Sequence, residues 1–219
     1  MKYGVALLTL HSREWFYIAS MSQGEVCGRE LSAGCYTQIM NDTEIWLERL
    51  SSLYRSQMRQ AANAQGIQLV HFEILQYLTI CNRYSNTAQS MVEYLGQTKG
   101  SISQSLKLMK RSGYIKREVC ANDKRVSRIY LTDSGYKCYL RLSENLNVKH
   151  ENDPEVVALL KSLSMSLNNG NLMSGFGQCK SCRHRQVNGF AGYSCGLTSE
   201  MLSDTDMNKI CREHEFSTA

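Results

Sequence analysis

The chain has 219 residues, enough for one sizeable domain and a smaller appendage, and its 42% hydrophobic content is ordinary for a globular protein. Its formal net charge is +5, while residues 86–145 alone carry eleven Lys or Arg against five Asp or Glu, so the positive excess sits in one segment. There is no apolar run long enough to span a bilayer, no Gly-rich phosphate loop, no paired catalytic carboxylates and no nucleophile elbow, which argues against a membrane-spanning protein and against the common enzyme classes.

The opening M-K-Y-G-V-A-L-L-T-L is interrupted by His11, Arg13 and Glu14 before any small-residue cleavage site, so it does not read as an export signal. A cytoplasmic location with reduced thiols is expected, and clustered cysteines then point to metal or redox chemistry before disulfides. Residues 1–40 show no sustained period and read as a poorly ordered extension. A helix start follows at Asn41, Asp42 or Thr43. Ile45, Trp46, Leu50, Leu53, Tyr54 and Met58 then recur at helical intervals up to about Ala64, with Gly66 beyond. Leu69, Phe72, Leu75 and Leu78 mark a second helix that Asn82 and Arg83 end.

Thr87 or Asn86 can cap a third helix with Ala88, Met91, Val92 and Leu95 on its buried side. Gly96 suits a tight turn, and Thr98 caps a fourth helix on which Ile102, Leu106 and Met109 share one face. Gly113 closes it. Tyr114 to Cys120 and Val126 to Leu131 alternate loosely around the polar tip A-N-D-K-R and read as a hairpin. Thr132 caps a helix carrying Tyr136, Tyr139, Leu140 and Leu142, and Asp153 with Pro154 opens another that Asn169 and Gly170 stop. The fold class expected is mainly α with a small β-hairpin wing: a winged helix-turn-helix flanked by helices at both ends.

L-G-Q-T-K-G-S-I-S-Q-S-L-K-L-M-K-R-S-G-Y-I, followed by D-K-R and L-T-D-S-G, resembles the MarR family of bacterial transcriptional regulators over roughly residues 43–169. The resemblance rests on the combination of the helix pair, Gly113, Asp123 and Arg125 at the wing tip, and Leu131, Thr132 and Gly135. It implies a homodimer whose terminal helices form the dimer platform, bound to double-stranded DNA at a pseudo-palindromic operator. Residues 41–169 would form this core and 170–219 a separate Cys-rich tail.

In such a domain the N-terminal turn of the fourth helix enters the major groove. Thr98, Lys99, Ser101, Ser103, Gln104 and Lys107 are the candidate contacts, with Gln104 suited to pair its amide twice with adenine. At the wing tip Lys124 and Arg125 can reach the minor groove, while Asp123 either orients Arg125 or simply forms the turn.

Beyond the N-L-M-S-G-F-G linker come C-K-S-C, Y-S-C-G and I-C-R-E-H, so that four of nine cysteines fall in the last 41 residues. Cys179, Cys182, Cys195 and Cys211 are candidate metal ligands in a stretch too poor in large apolar residues to fold on packing alone. A C-x-x-C hook with two lone cysteines suits an iron–sulfur cluster, whereas Cys211 with His214 could imitate the second hook of a Zn2+ site. Lys180, Arg183, Arg185 and Arg212 would offset thiolate charge in either case. Cys27, Cys35, Cys81, Cys120 and Cys138 read as small buried or incidental residues.

The expected function is therefore a DNA-binding regulator, a repressor that senses redox, oxygen or iron status through the cysteine tail. A regulator released by a small phenolic ligand, with the tail a zinc clip, is the alternative in the same fold. A thiol oxidoreductase using C-K-S-C is disfavoured, because no strand-helix-strand pattern surrounds Cys179.

Overall fold

The order of elements follows from local capping chemistry. The computed structural model describes residues 41–120, 124–144, 146, 153–168, 175–189 and 192–216; the expected extension over 1–40 lies outside them, as does Asp123. Helix α1 (Asp42–Ala64) begins with a reciprocal lock in which the Glu44 N–H donates to Asn41 Oδ1 and the Asn41 N–H to Glu44 Oε2, both at 2.9 Å. Only Met58, Ala61 and Ala62 of this helix are buried; Ile45, Trp46, Leu50, Leu53 and Tyr54 remain exposed.

Helix α2 (Leu69–Ile80) is the centre of the core, with Phe72, Ile74, Leu75 and Tyr77 fully buried. Thr87 starts α3 (Ala88–Leu95) by accepting from the Ser90 N–H at 3.2 Å, and Gly96 ends it in the left-handed region at φ +62°. Thr98 starts α4 (Lys99–Arg111) in the same way, accepting from the Ser101 N–H at 3.1 Å. Ile102, Leu106 and Met109 are buried as their spacing requires, and Ser105 is buried with them.

Strands β1 (Ile115–Val119) and β2 (Ser127–Leu131) form the expected antiparallel hairpin, with Ile115 opposite Leu131 and Val119 opposite Ser127. Thr132 caps α5 (Asp133–Ser143) by accepting from the Gly135 N–H at 3.1 Å. Asp153 Oδ1 accepts from the Glu155 N–H at 2.9 Å at the start of α6 (Pro154–Asn168), whose Val156, Leu159, Leu160, Met165 and Leu167 are exposed. Among the described residues no helix is long and apolar enough to cross a membrane.

The cysteine-rich tail is built from short pieces. β3 (Gly177–Gln178) leads into a single 3-10 turn over Cys179–Ser181, then β4 (Arg185–Val187), β5 (Tyr193–Cys195), β6 (Met201–Leu202), α7 (Asp204–Asn208) and β7 (Ile210–Cys211). β3 pairs antiparallel with β7, and β4, β5 and β6 form a three-stranded sheet. Ser203 and Asp206 close α7 with a capping box. The tail's own core is small, with Leu202 and Met207 packed beside Cys179 and Cys211. It docks through Phe176, whose ring lies 5.1 Å from that of Tyr94 and 6.4 Å from that of Tyr77.

Two glycines separate close packing from helix propensity. A Cβ on Gly135 would lie 2.0 Å from the Tyr114 carbonyl oxygen, so Gly135→Ala must push α5 off the wing and should cost about 1–3 kcal/mol. A Cβ on Gly100 would meet only Thr98 Oγ at 3.9 Å, so Gly100→Ala in α4 should be neutral or stabilising by up to about 1 kcal/mol. Urea denaturation midpoints of the two variants check this pair of opposite signs.

Candidate nucleic-acid interface and four-cysteine cavity

Burial of Ile102, Ser105, Leu106 and Met109 turns the opposite side of α4 outward, where Thr98, Lys99, Ser103, Gln104 and Lys107 are exposed and Ser101 is half-buried. Lys110 and Arg111 extend the same basic character into the last turn. The wing carries further cations: Lys124 and Arg125 are exposed near its tip, and Lys116 pairs with Glu118 at 2.8 Å on the strand below. Asp123 falls outside the described residues, so the alternatives for its role stand as the sequence left them. The surface so formed offers short polar groups at the start of a helix and long cations beside it, the arrangement that base edges and phosphates require.

Cys179, Cys182, Cys195 and Cys211, although drawn from separate segments, line one small cavity together with Asn82, Tyr84 and His184. Strand pairing explains the convergence. Register across β3 and β7 sets Gln178 against Ile210, which brings Cys179 beside Cys211. Register across β4 and β5 sets Arg185 against Cys195, and the 3-10 turn carries Cys182 back toward it with the Cys182 N–H donating to the Cys179 carbonyl at 3.1 Å. The Cys179 and Cys211 thiols share a hydrogen bond that pushes Cys179 up and draws Cys211 down from the ordinary thiol range; Asn82, Ser85 and the Glu213 backbone add to the pull on Cys211.

The donor set suits a soft metal or cluster, being four thiols on one cavity with an amide N–H, that of Asn82 Nδ2, 3.6 Å from Cys179 Sγ. Among the described residues no group of three or more His, Cys, Asp or Glu is arranged to hold a metal ion. His214 does not follow its C-x-x-H spacing into the cavity. It is buried against Gly177, where an added Cβ would lie 2.4 Å from its ring, and its Nε2 is 3.1 Å from Ser181 Oγ. His184, which the sequence reading passed over, lines the cavity instead, with its Nε2 3.2 Å from Glu215 Oε1.

Of the basic residues expected to offset thiolate charge, Arg185 lines the cavity and the others are engaged elsewhere. Lys180 Nζ donates to Asn208 Oδ1 at 3.0 Å, Arg183 pairs with Glu215 at 2.6 Å, and Arg185 stacks over the Tyr193 ring at 4.9 Å. Arg212 reaches into the helix-turn-helix, donating from Nε and Nη2 to the two carboxylate oxygens of Glu93 at 2.5 and 2.8 Å. Against the upward push of partial burial, hydrogen bonds from Arg212 and Gln89 and the charges of Arg212 and Lys99 hold the Glu93 carboxyl below its ordinary range. Cys81 and Cys138 are buried, as small core residues, and burial pushes the Cys81 thiol up to about 12.

The turn between α2 and α3 receives most of the tail's polar contacts. The Asn82 N–H donates to the Ile210 carbonyl at 2.8 Å, the Arg212 N–H to Ser85 Oγ at 2.8 Å, Arg83 Nη2 to the Met201 carbonyl at 2.6 Å, and Tyr84 Oη to Glu200 at 2.7 Å. The wing meets the same turn from the other side: the Ile129 N–H donates to the Asn86 carbonyl at 2.8 Å and Arg128 Nη1 to the Tyr84 carbonyl at 2.5 Å.

Residues 65–126 match the sequence model of the MarR family. Among solved structures, the chain is similar to Staphylococcus aureus MepR in its DNA-binding conformation, at 20% identity and TM-score 0.52 over 60% of this chain and 100% of that one. It is similar also to a MarR-family transcriptional regulator from Silicibacter pomeroyi, at 22% identity and TM-score 0.51 over 60% of this chain and 91% of that one. No curated protein matches the chain by sequence. The capped helix pair, the hairpin wing and the family match fall on the same residues, so the chain has a winged helix-turn-helix whose residues 65–126 are similar to the MarR family.

Proposed function

We propose that this chain is a homodimeric, sequence-specific transcriptional repressor whose affinity for DNA follows the state of an iron–sulfur cluster held by Cys179, Cys182, Cys195 and Cys211. The observation that carries the DNA reading is the exposed polar and basic side of α4 beside a basic wing, in a segment that holds all of the chain's net positive charge. MepR, whose fold is similar, is described in a DNA-binding conformation. Dimerisation is supported by the apolar residues that α1 and α6 leave uncovered in a single chain, Trp46 at 65% and Leu167 at 63% exposure among them. A two-fold dimer would present two α4 helices to successive major grooves.

The sensor reading is supported by the convergence of four thiols on one cavity and by the amide that Asn82 directs at Cys179. A cluster bound there would supply reversible one-electron and ligand-loss chemistry, while the chain holds the thiolates, screens them from solvent and donates N–H to sulfur. The Cys211 and His214 hook considered for zinc is not formed, because His214 is turned onto Gly177 and Ser181, and a zinc site there would rest on the four cysteines alone.

Two measurements test these parts separately. Gln104→Ala should change which bases a selected operator prefers, with discrimination at one position falling by about 1–3 kcal/mol, whereas Arg125→Ala should weaken binding evenly and lower the slope of affinity against salt by about one phosphate contact. Equal slopes for Arg125→Ala and the parent chain would refute the wing contact. Anaerobic purification should give a coloured protein with iron and sulfide, and Cys182→Ser with Cys195→Ser should abolish both. A colourless parent chain with stoichiometric zinc would replace the sensor by a structural clip.

A further inference from the structure

We infer that Arg212 is a positioning residue through which the four-cysteine site sets DNA affinity, by holding Glu93 paired on the helix that precedes the recognition helix when the site is filled. The inference rests on the metal reading above and adds the route and the sign of its regulation.

The geometry is that of a two-sided clamp. Arg212 follows Cys211 directly, so that any movement of that thiolate on gaining or losing a metal moves the Arg212 backbone. Its N–H is fixed on Ser85 Oγ and its guanidinium grips both oxygens of Glu93, 119 residues away in sequence and on the helix that precedes α4. Glu93 lies near the end of α3, which the turn at Gly96 joins to α4 and its candidate DNA surface. With Arg212 in place the carboxylate is paired. With Arg212 withdrawn, an unpaired carboxylate on the helix-turn-helix adds negative potential where DNA must approach.

The second side of the clamp is the turn over residues 82–86. Asn82 holds Cys179 by its side-chain amide and the last tail strand by its N–H, while Tyr84 and Asn86 hold the wing strand through Arg128 and Ile129. One short turn therefore connects the thiols to the wing, as Glu93 connects them to α4. The filled site favours the DNA-binding arrangement, and loss of the metal releases it. By reciprocity, bound DNA raises the affinity for the metal by the same factor.

The test uses the full chain purified anaerobically, with iron, zinc and sulfide measured, and the same preparation stripped with a chelator. The probe is a labelled duplex enriched from a randomised pool by the metal-loaded protein. The loaded parent chain is expected to bind it about tenfold more tightly than the stripped one. Arg212→Gln should keep the metal content, visible spectrum and melting temperature of the parent, yet bind less tightly than the parent when loaded, so that the loaded-to-stripped ratio falls. Glu93→Gln, which removes the carboxylate, should bind more tightly than the parent when stripped, so that the loaded-to-stripped ratio falls here too. Arg212→Gln retaining the parent's loaded-to-stripped ratio, or Glu93→Gln binding weakly in both states, would overturn the coupling. A metal-bearing parent that binds DNA equally when stripped would overturn the coupling and leave the metal site standing; a parent without metal would remove both.

Discussion

Asn82 is a buried polar side chain at the end of α2 whose every hydrogen-bonding group has a partner, and the attachment of the tail depends on it. Its N–H goes to Ile210, its carbonyl accepts from the Ser85 N–H at 3.1 Å, its Oδ1 accepts from the Tyr84 N–H at 3.1 Å, and its Nδ2 faces Cys179 Sγ. A buried amide is costly when any of these is missing, so the arrangement is close to all or none. That property makes the turn a suitable joint. It fixes the 82–86 backbone only when the tail is seated, and it fixes the tail only when the turn is formed.

From this joint the division of labour in the molecule follows. The core around Phe72, Tyr77, Ile102 and Ile129 is apolar and supplies the stability of the winged domain. The tail contributes little apolar burial of its own: its core is Leu202 and Met207 beside two cysteines, extended by Phe176 laid on Tyr77 and Tyr94. Such a segment is held by what it docks on and by what it binds, which places it near the unstable end of the structure. Elements that respond to a signal are drawn from that end.

The winged domain could be read from the sequence because its determinants are local. Thr87, Thr98 and Thr132 each accept from an N–H three residues on, and Gly96 and Gly113 take positive φ one turn from a helix end. Such interactions leave a signature within a window of a few residues. The docking of the tail left none, since Arg212 and Glu93 lie 119 residues apart and Asn82 and Cys179 lie 97 apart. Spacing even misdirected the eye at His214: C-x-x-H suggested a ligand, but the close approach of Gly177 draws that ring into the tail's packing, and His184 lines the cavity instead. Ser105 gave the opposite lesson, a polar residue buried on a helix otherwise read correctly from its apolar face.

Magnitudes decide how the coupling must be distributed. Arg212 and Glu93 are 37% and 29% exposed, and ion pairs screened to that degree contribute up to about 1 kcal/mol, whereas a tenfold change in affinity requires about 1.4 kcal/mol. The pair alone falls short. The remainder must come from buried groups that change partners together, and Asn82 and Ser85 are both buried at the same turn and both bonded across to the tail. Loss of a hydrogen bond at a buried polar group costs about 1–3 kcal/mol, so displacement of the tail sets an energy scale large enough to govern the turn, while Arg212 and Glu93 determine which way that energy moves the DNA-binding surface.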